Sequence, residues 1–278
     1  MRVIISLFIL FYLQSCSTNN NTIKVKGSDT EVNLAVLMAE EFHQKDDEFL
    51  VSISGGGSGL GIASLLNGTA DIANSSRRIN EEEIALFSKK NIVLDSFIFA
   101  QDAIAFVVAK NFPIDSISPP DLSKILSGEV TNWSFLTKED IPINIYGRQS
   151  NSGTHEFVKI ILNIQFSPHA IQMNGNAQIL EAIKADNSGI GYVGAGYVME
   201  WERGNIKVLK IYTNVSPSIS PLDAAKIASG EYFFQRPLFQ YYKVRDYEKV
   251  KPFLDFEKTE KGAKIIHLSG YYPAKKIK

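Results

Sequence analysis

The sequence predicts an α/β protein of two lobes, and three observations carry that prediction. A strand, a loop of small residues and a helix follow one another three times within about 65 residues from Ile23. A second alternation starts at the continuous apolar strand Ile104 to Val108. Each small-residue loop falls between a strand and a helix, where a mostly parallel sheet places its ligands. Two αβ sheets joined by long strands give two lobes with a cleft between them.

Ile23-Lys24-Val25-Lys26 alternates as a half-buried strand does and stops at Gly27. From Thr30 to Phe42 the apolar residues recur at helical spacing. Phe49 to Ile53 is a second strand, Gly55 to Gly61 a glycine-rich turn, and Ile62 to Leu66 a short helix closed by Asn67-Gly68. Ala70 to Ala73 is a third strand, and Asn80-Glu81-Glu82-Glu83 sets negative charge at a helix start. In the middle segment, Pro119-Pro120-Asp121 opens a helix over 122–126, and Ile143 to Tyr146 is a strand feeding Gly147-Arg148. A helix with Phe157, Ile160, Ile161 and Ile164 on one face follows, then a helix Ile179 to Ala185 and a strand Gly189 to Val193. The last part offers a strand Leu238 to Val244 and helices Lys249 to Leu254 and Thr259 to Leu268. The lobes are therefore expected at residues 23–100 with 238–278, and at 101–237, crossing near Phe99–Asp102 and Arg236–Leu238.

Over 278 residues the net charge is −1, which argues against nucleic acid, whose binders carry a basic footprint. Arg2 and the apolar run Val3 to Leu13 read as a secretory signal over residues 1–15, too short to span a bilayer. Cys16 is the sole cysteine, so no intramolecular disulfide forms. Leu13-Gln14-Ser15-Cys16 resembles a bacterial lipobox, implying lipidation of Cys16, a tether over 16–22 and an extracytoplasmic, membrane-anchored protein.

Arg148-Gln149-Ser150-Asn151-Ser152-Gly153-Thr154 is the most telling segment. Free backbone N–H groups at a helix start, two hydroxyls and a guanidinium together suit a compact oxyanion. No metal cage or evident nucleophile–base pair stands beside it, so the segment reads as holding an anion rather than transforming it. Gly27-Ser28-Asp29-Thr30 and Gly55-Gly56-Gly57-Ser58-Gly59 are two further strand-to-helix loops of the same character.

These loops, with Asp71-Ile-Ala-Asn-Ser-Ser76-Arg, Leu126-Ser-Gly-Glu-Val-Thr-Asn-Trp133 and Gly189-Ile-Gly-Tyr-Val193, resemble in order and spacing the periplasmic phosphate-binding proteins of phosphate ABC importers. The resemblance spans essentially the whole chain beyond the signal. It implies a type II periplasmic-binding-protein fold: two mixed sheets flanked by helices, with the ligand cleft at the hinge. It further implies inorganic phosphate as ligand, ABC permease subunits as partners, a monomer, and no enzymatic activity or cofactor. Carried over residue by residue, it implies ligand contacts from Asp29, Thr30, Ser58, Ser76, Arg148, Ser152, Gly153 and Thr154. Many family members carry a carboxylate where this chain has Ser76. A carboxylate accepts the proton that phosphate keeps near pH 7 and sulfate lacks, so that acceptor is expected to have moved to Asp29. Asp29 also suits an N-cap on the helix that follows.

Other readings stay open from the residues alone. The scaffold could serve a phosphatase or esterase, with Ser152 or Ser58 as nucleophile and His155 as base. It could hold sulfate or molybdate, or act as a sensor or adhesin. Arg77 or Arg78 either approaches the anion, pairs with Asp29 or lies on a solvated face. Gly189-x-Gly191-x-x-Gly194 reads as packing glycine, and His155-Glu156 lacks the second histidine of a zinc helix.

Overall fold

The computed structural model describes residues 21–199, 204 and 206–274. The signal segment 1–15, Cys16 and most of the tether 16–22 lie outside the described residues. The chain opens with β1 (Thr22–Gly27), α1 (Val32–His43), β2 (Leu50–Ser54), α2 (Ser58–Leu66), β3 (Ile72–Ser75) and α3 (Glu81–Lys89). A 16-residue strand β4 (Leu94–Ala109) leads to β5 (Ser116–Ile117), α4 (Pro119–Ser127), β6 (Asn144–Arg148), α5 (Gly153–Leu162), β7 (Ile171–Met173), α6 (Asn176–Ala185) and β8 (Gly189–Gly194). Then come β9 (Ile206–Val208), β10 (Lys210–Thr213), β11 (Ser216–Ile219), α7 (Ala224–Ser229), β12 (Gln235–Lys243), α8 (Tyr247–Glu257), α9 (Glu260–Leu268) and β13 (Tyr272–Pro273).

The helix ends follow local chemistry. Asn80 and Glu83 form a reciprocal capping box on α3. Ser118 caps α4, whose first residues are prolines, and Gly128 closes it at φ +81°. The expected glycine-rich turn is shorter than Gly55 to Gly61, because α2 already starts at Ser58. Gly56 and Gly57 supply the turn with φ of +116° and +101°. Gly61 lies inside the helix because a Cβ there would come within 2.6 Å of Gly27 Cα on β1.

The sheet path runs β2-β1-β3-β12-β4-β8-β6-β7, with β13 and β9 also pairing β4, and β11-β10-β5 forms a separate small sheet. The two sheets expected from the sequence are thus joined. The first half of β4 pairs antiparallel with β12, from Leu94↔Lys243 to Ala103↔Gln235. Its second half, Ile104 to Val108, pairs with β8. Only that second half is a continuous apolar run; Asp95, Ser96, Gln101 and Asp102 obscure the first half in sequence.

One core gathers residues between 103 and 234, among them Phe106, Leu122, Trp133, Ile179 and Tyr192. A second gathers Ile23, Leu34, Phe42, Phe99, Leu238 and Phe253 from both ends of the chain, with a satellite around Ile62, Leu65 and Phe87. Strands β4 and β12 pass side by side from one core to the other. This is a two-lobed α/β fold of the type II binding-protein kind.

Candidate anion-binding site

Strand β6 delivers Arg148 to the cleft, and the turn after it enters α5. Ser152 caps that helix, its Oγ accepting from the N–H of Thr154 at 3.2 Å and of His155 at 3.5 Å. The Arg148 N–H donates to the Tyr192 hydroxyl at 3.2 Å, and His155 Nδ1 lies 3.0 Å from the Arg148 carbonyl. The Arg148 side chain is buried, and its Nη2 donates to Asn174 O at 2.9 Å. Nη1 lies 3.3 Å from Asp29 Oδ2, but neither Nη1 nor Nε makes an aligned hydrogen bond within the protein. Burial lowers the guanidinium pKa, and Asp29 opposes that shift. It remains a cation at any physiological pH.

The other lobe brings three hydroxyls. Thr30 Oγ1 lies 3.0 Å from Thr154 Oγ1 across the cleft. Ser58 Oγ accepts the N–H of Ser76 at 3.1 Å and lies 3.4 Å from Ser76 Oγ. Gly153 faces this pair so closely that a Cβ there would collide with both serine hydroxyls. Thr30, Ser58, Ser76, Ser152 and Thr154 are all buried. Asn151 adds cross-cleft bonds: its carbonyl accepts from Gly59 N–H at 3.0 Å, and its Nδ2 donates to Gly56 O at 3.2 Å.

Asp29 does not cap the helix that follows it. Its Oδ2 accepts from the N–H and Nδ2 of Asn176, both at 2.9 Å, so it caps α6 of the opposite lobe. The carboxylate thus joins the lobes and stands against Arg148, while Oδ1 accepts no hydrogen bond among the described residues. The Tyr197 hydroxyl donates to the Asp29 carbonyl at 2.6 Å, which fixes the loop.

Residues 14–258 match the model of the PBP superfamily domain. The chain belongs to the PBP superfamily. It is 28% identical over 284 residues to the phosphate-binding protein PstS of Borreliella burgdorferi, covering 97% of this chain and 98% of that one. It is 29% identical over 275 residues to protein SphX of Synechococcus elongatus, covering 95% and 81%. Among solved structures, it resembles a putative phosphate ABC transporter substrate-binding protein with bound phosphate from Clostridium perfringens, with a TM-score of 0.82 at 24% identity over 92% of this chain and 100% of that one. An ABC-type phosphate transport receptor from Vibrio cholerae gives a TM-score of 0.71 at 26% identity, over 91% and 100%.

In this PBP superfamily chain the structure adds a second buried cation, Arg236 on β12. Its Nε and Nη2 hold Asp102 Oδ2 at 3.1 and 2.9 Å, and Nη1 donates to Ser76 O. Nη2 also reaches Thr30 Oγ1 at 3.3 Å and Thr154 Oγ1 at 2.9 Å, so one guanidinium orients a hydroxyl from each lobe. Burial pushes the Asp102 pKa up, and Arg236 opposes it. Asp102 and Arg236 each fall in one of the two expected crossings. Opposite charges there were the available signal for the pair.

Several sequence readings resolve differently. Arg77 is held by Glu83 at 2.7 and 2.8 Å, and Arg78 lies over the Phe239 ring, so neither pairs with Asp29. His155 Nδ1 is engaged by the Arg148 carbonyl, and burial lowers its pKa. Gly191 packs against Ile179, where a Cβ would come within 2.5 Å of Cγ2. Among the described residues no group of three His, Cys, Asp or Glu side chains could hold a metal. Nor is any described helix long and apolar enough to cross a membrane. Beside Arg236 the cleft widens into a cavity of about 490 Å³, with apolar walls from Ile79, Phe157, Ile160, Ile161, Pro237 and Phe239 and polar groups from Ser76, Arg77, Arg78, Asn80, Glu156 and Arg236 at its edge.

Proposed function

We propose that this chain binds inorganic phosphate between its lobes and delivers it to an ABC importer, without transforming it. The observation that carries this reading is the Arg148 guanidinium, buried with two nitrogens unbonded, in a cleft where hydroxyls from both lobes converge. A cation so placed calls for an anion, since burial without full pairing is costly. Relatives named for phosphate binding, matched over nearly the full chain, support the same ligand. Thr30, Ser58, Ser76, Ser152 and Thr154 supply hydroxyl donors, Gly153 a close backbone approach, and Arg148 the charge. The enzyme alternative loses support because Ser152 Oγ caps α5 and His155 Nδ1 is engaged elsewhere. The moving units are residues 23–100 with 238–278, and 101–237. Lipidation at Cys16 would hold the protein on the outer side of a membrane, beside its permease.

Asp29 Oδ1 is the acceptor for the proton that phosphate keeps and sulfate lacks. Titration calorimetry with phosphate, and with sulfate, arsenate and molybdate as competitors, tests ligand and selectivity together. The wild type binds phosphate and arsenate and rejects sulfate. Asp29→Asn narrows the phosphate-to-sulfate ratio by about tenfold or more. If that variant bound phosphate normally and still excluded sulfate, Asp29 would not set selectivity. If the wild type bound none of the four anions, the function itself would be wrong.

A further inference from the structure

The loop Gly55-Gly56-Gly57-Ser58-Gly59 carries more glycine than its turn requires. Positive φ accounts for Gly56 and Gly57, whereas Gly59 lies in the first turn of α2 without it. What stands over Gly59 is Asn151, from the opposite lobe. A Cβ on Gly59 would touch the Asn151 Cβ and carbonyl oxygen at 3.4 Å. One on Gly57 would come to 3.0 Å of that oxygen and 3.1 Å of Asn151 Oδ1. A longer side chain at either place would displace Asn151. Hydrogen bonds complete the fit. A helix start leaves N–H groups without intrahelical partners, and no side chain caps α2. The Gly59 N–H finds its acceptor across the cleft, in the Asn151 carbonyl at 3.0 Å. The Asn151 Nδ2 returns a bond to Gly56 O at 3.2 Å. Asn151 itself is exposed, and it directly precedes Ser152, the cap of α5.

We propose that Asn151 is a positioning residue that latches the closed cleft: it seats in a glycine socket on the other lobe and sets how long the anion is retained. The two halves of this contact lie on different lobes, one at the start of α2 and one in the turn before α5, so it exists only while the lobes are together. Entry of an anion into an open cleft does not involve the latch. Escape requires it to break. Asn151 therefore acts on dissociation and leaves association alone, the usual way in which affinity is tuned. Because Asn151 is exposed, its amide exchanges the Gly56 bond for one to water on opening, and its effect is that of a net hydrogen bond. Ser58 still turns its hydroxyl toward the anion site, while the glycines on either side of it admit Asn151.

This inference rests on the anion-binding reading, and the experiment separates the two. Calorimetry gives the phosphate affinity of the wild type, Asn151→Ala, Asn151→Leu, Gly59→Val and the Asn151→Ala/Gly59→Val double variant. Release of radiolabelled phosphate into an excess of unlabelled phosphate gives the dissociation rate, and the two together give the association rate. Asn151→Ala and Asn151→Leu, which lack the amide donor, release phosphate about fivefold faster than wild type. Their association rates stay within about twofold, and they melt like wild type without phosphate. Gly59→Val fills the socket and speeds release at least as much. The double variant releases no faster than Gly59→Val alone, because a blocked socket leaves the amide nothing to lose. The latch is overturned if both Asn151 variants release phosphate at the wild-type rate, if association slows by the same factor as release quickens, or if the two effects multiply. Should Gly59→Val fail to fold, the Asn151 variants decide by their rates. Failure of the wild type to bind phosphate overturns the function itself, a distinct result.

Discussion

Two arginines are buried in one cleft, and their surroundings divide the work. Arg236 places Nε and Nη2 on Asp102 and its remaining donors on Ser76, Thr30 and Thr154. Its charge is neutralised within the protein, and it acts by orienting hydroxyls. Arg148 has one aligned bond, to Asn174 O, and a misaligned approach to Asp29. Substitution by methionine should separate these roles. Arg148→Met removes a partly unpaired buried charge, so the melting temperature holds or rises, while phosphate binding weakens by on the order of 2–5 kcal/mol. Arg236→Met strands Asp102 in the core and lowers the melting temperature instead. Calorimetry and thermal melting on both variants check this, and a stable Arg236→Met protein would contradict it. Arg148 was legible in sequence because its hydroxyl neighbours follow it within six residues. Arg236 and Asp102 are separated by 134 residues, and Asn176 and Asp29 by 147, so neither pairing was legible until the fold joined them.

At the level of elements, the site is a meeting of helix starts. The turn Asp29–Glu31, the start of α2 at Ser58 and the start of α5 at Gly153 bring unpaired N–H groups and hydroxyls together. Caps and glycines announce such starts, and so those loops could be read from the sequence. Strand β4 could be read only in its apolar half. The short β5, β9, β10 and β11, of two to four residues each, were not read at all. Segments such as Ser216-Pro217-Ser218-Ile219 carry too few residues for a period to emerge, and they pair only because the larger lobe surrounds them. The tightest meeting of elements is Gly153 against Ser58 and Ser76. Alanine is compatible with the first position of α5, although its advantage of about 1 kcal/mol over glycine belongs to helix interiors. Its Cβ would nevertheless force α5 away from the two serines. Gly153→Ala is therefore expected to bind phosphate at least about tenfold more weakly and to melt no higher than wild type, because the overpacking is buried. Unchanged affinity would show that the close approach has no part in binding.

Across the whole molecule, stability and binding occupy different ground. Each lobe encloses its own apolar core, whereas the groups that bridge the cleft at the site are polar: Thr30 with Thr154, Asn151 with Gly56 and Gly59, and Asp29 with Asn176 and Arg148. Water can replace such bonds, so the lobes can part there without unfolding, and global stability resides in the cores. A buried acid inside one core should then change stability with pH without changing the cleft. Glu257, at the end of α8, meets this description: it is buried, accepts from Gln240 Nε2 at 3.0 Å, and burial pushes its pKa up to about 8 from 4.5. Between those values the folded chain holds a proton that the unfolded chain releases. Its contribution to stability is therefore full below pH 4.5, falls as pH rises toward about 8, and is constant above. Glu257→Gln removes the titration and preserves a partner for Gln240. Melting curves from pH 5 to 9 should show the wild type losing stability relative to the variant up to about pH 8, then running parallel to it. Each kcal/mol recovered amounts to roughly 2–4 °C in melting temperature for a chain of this size. Parallel curves over the whole range would mean that Glu257 ionises at its ordinary pKa in the folded protein.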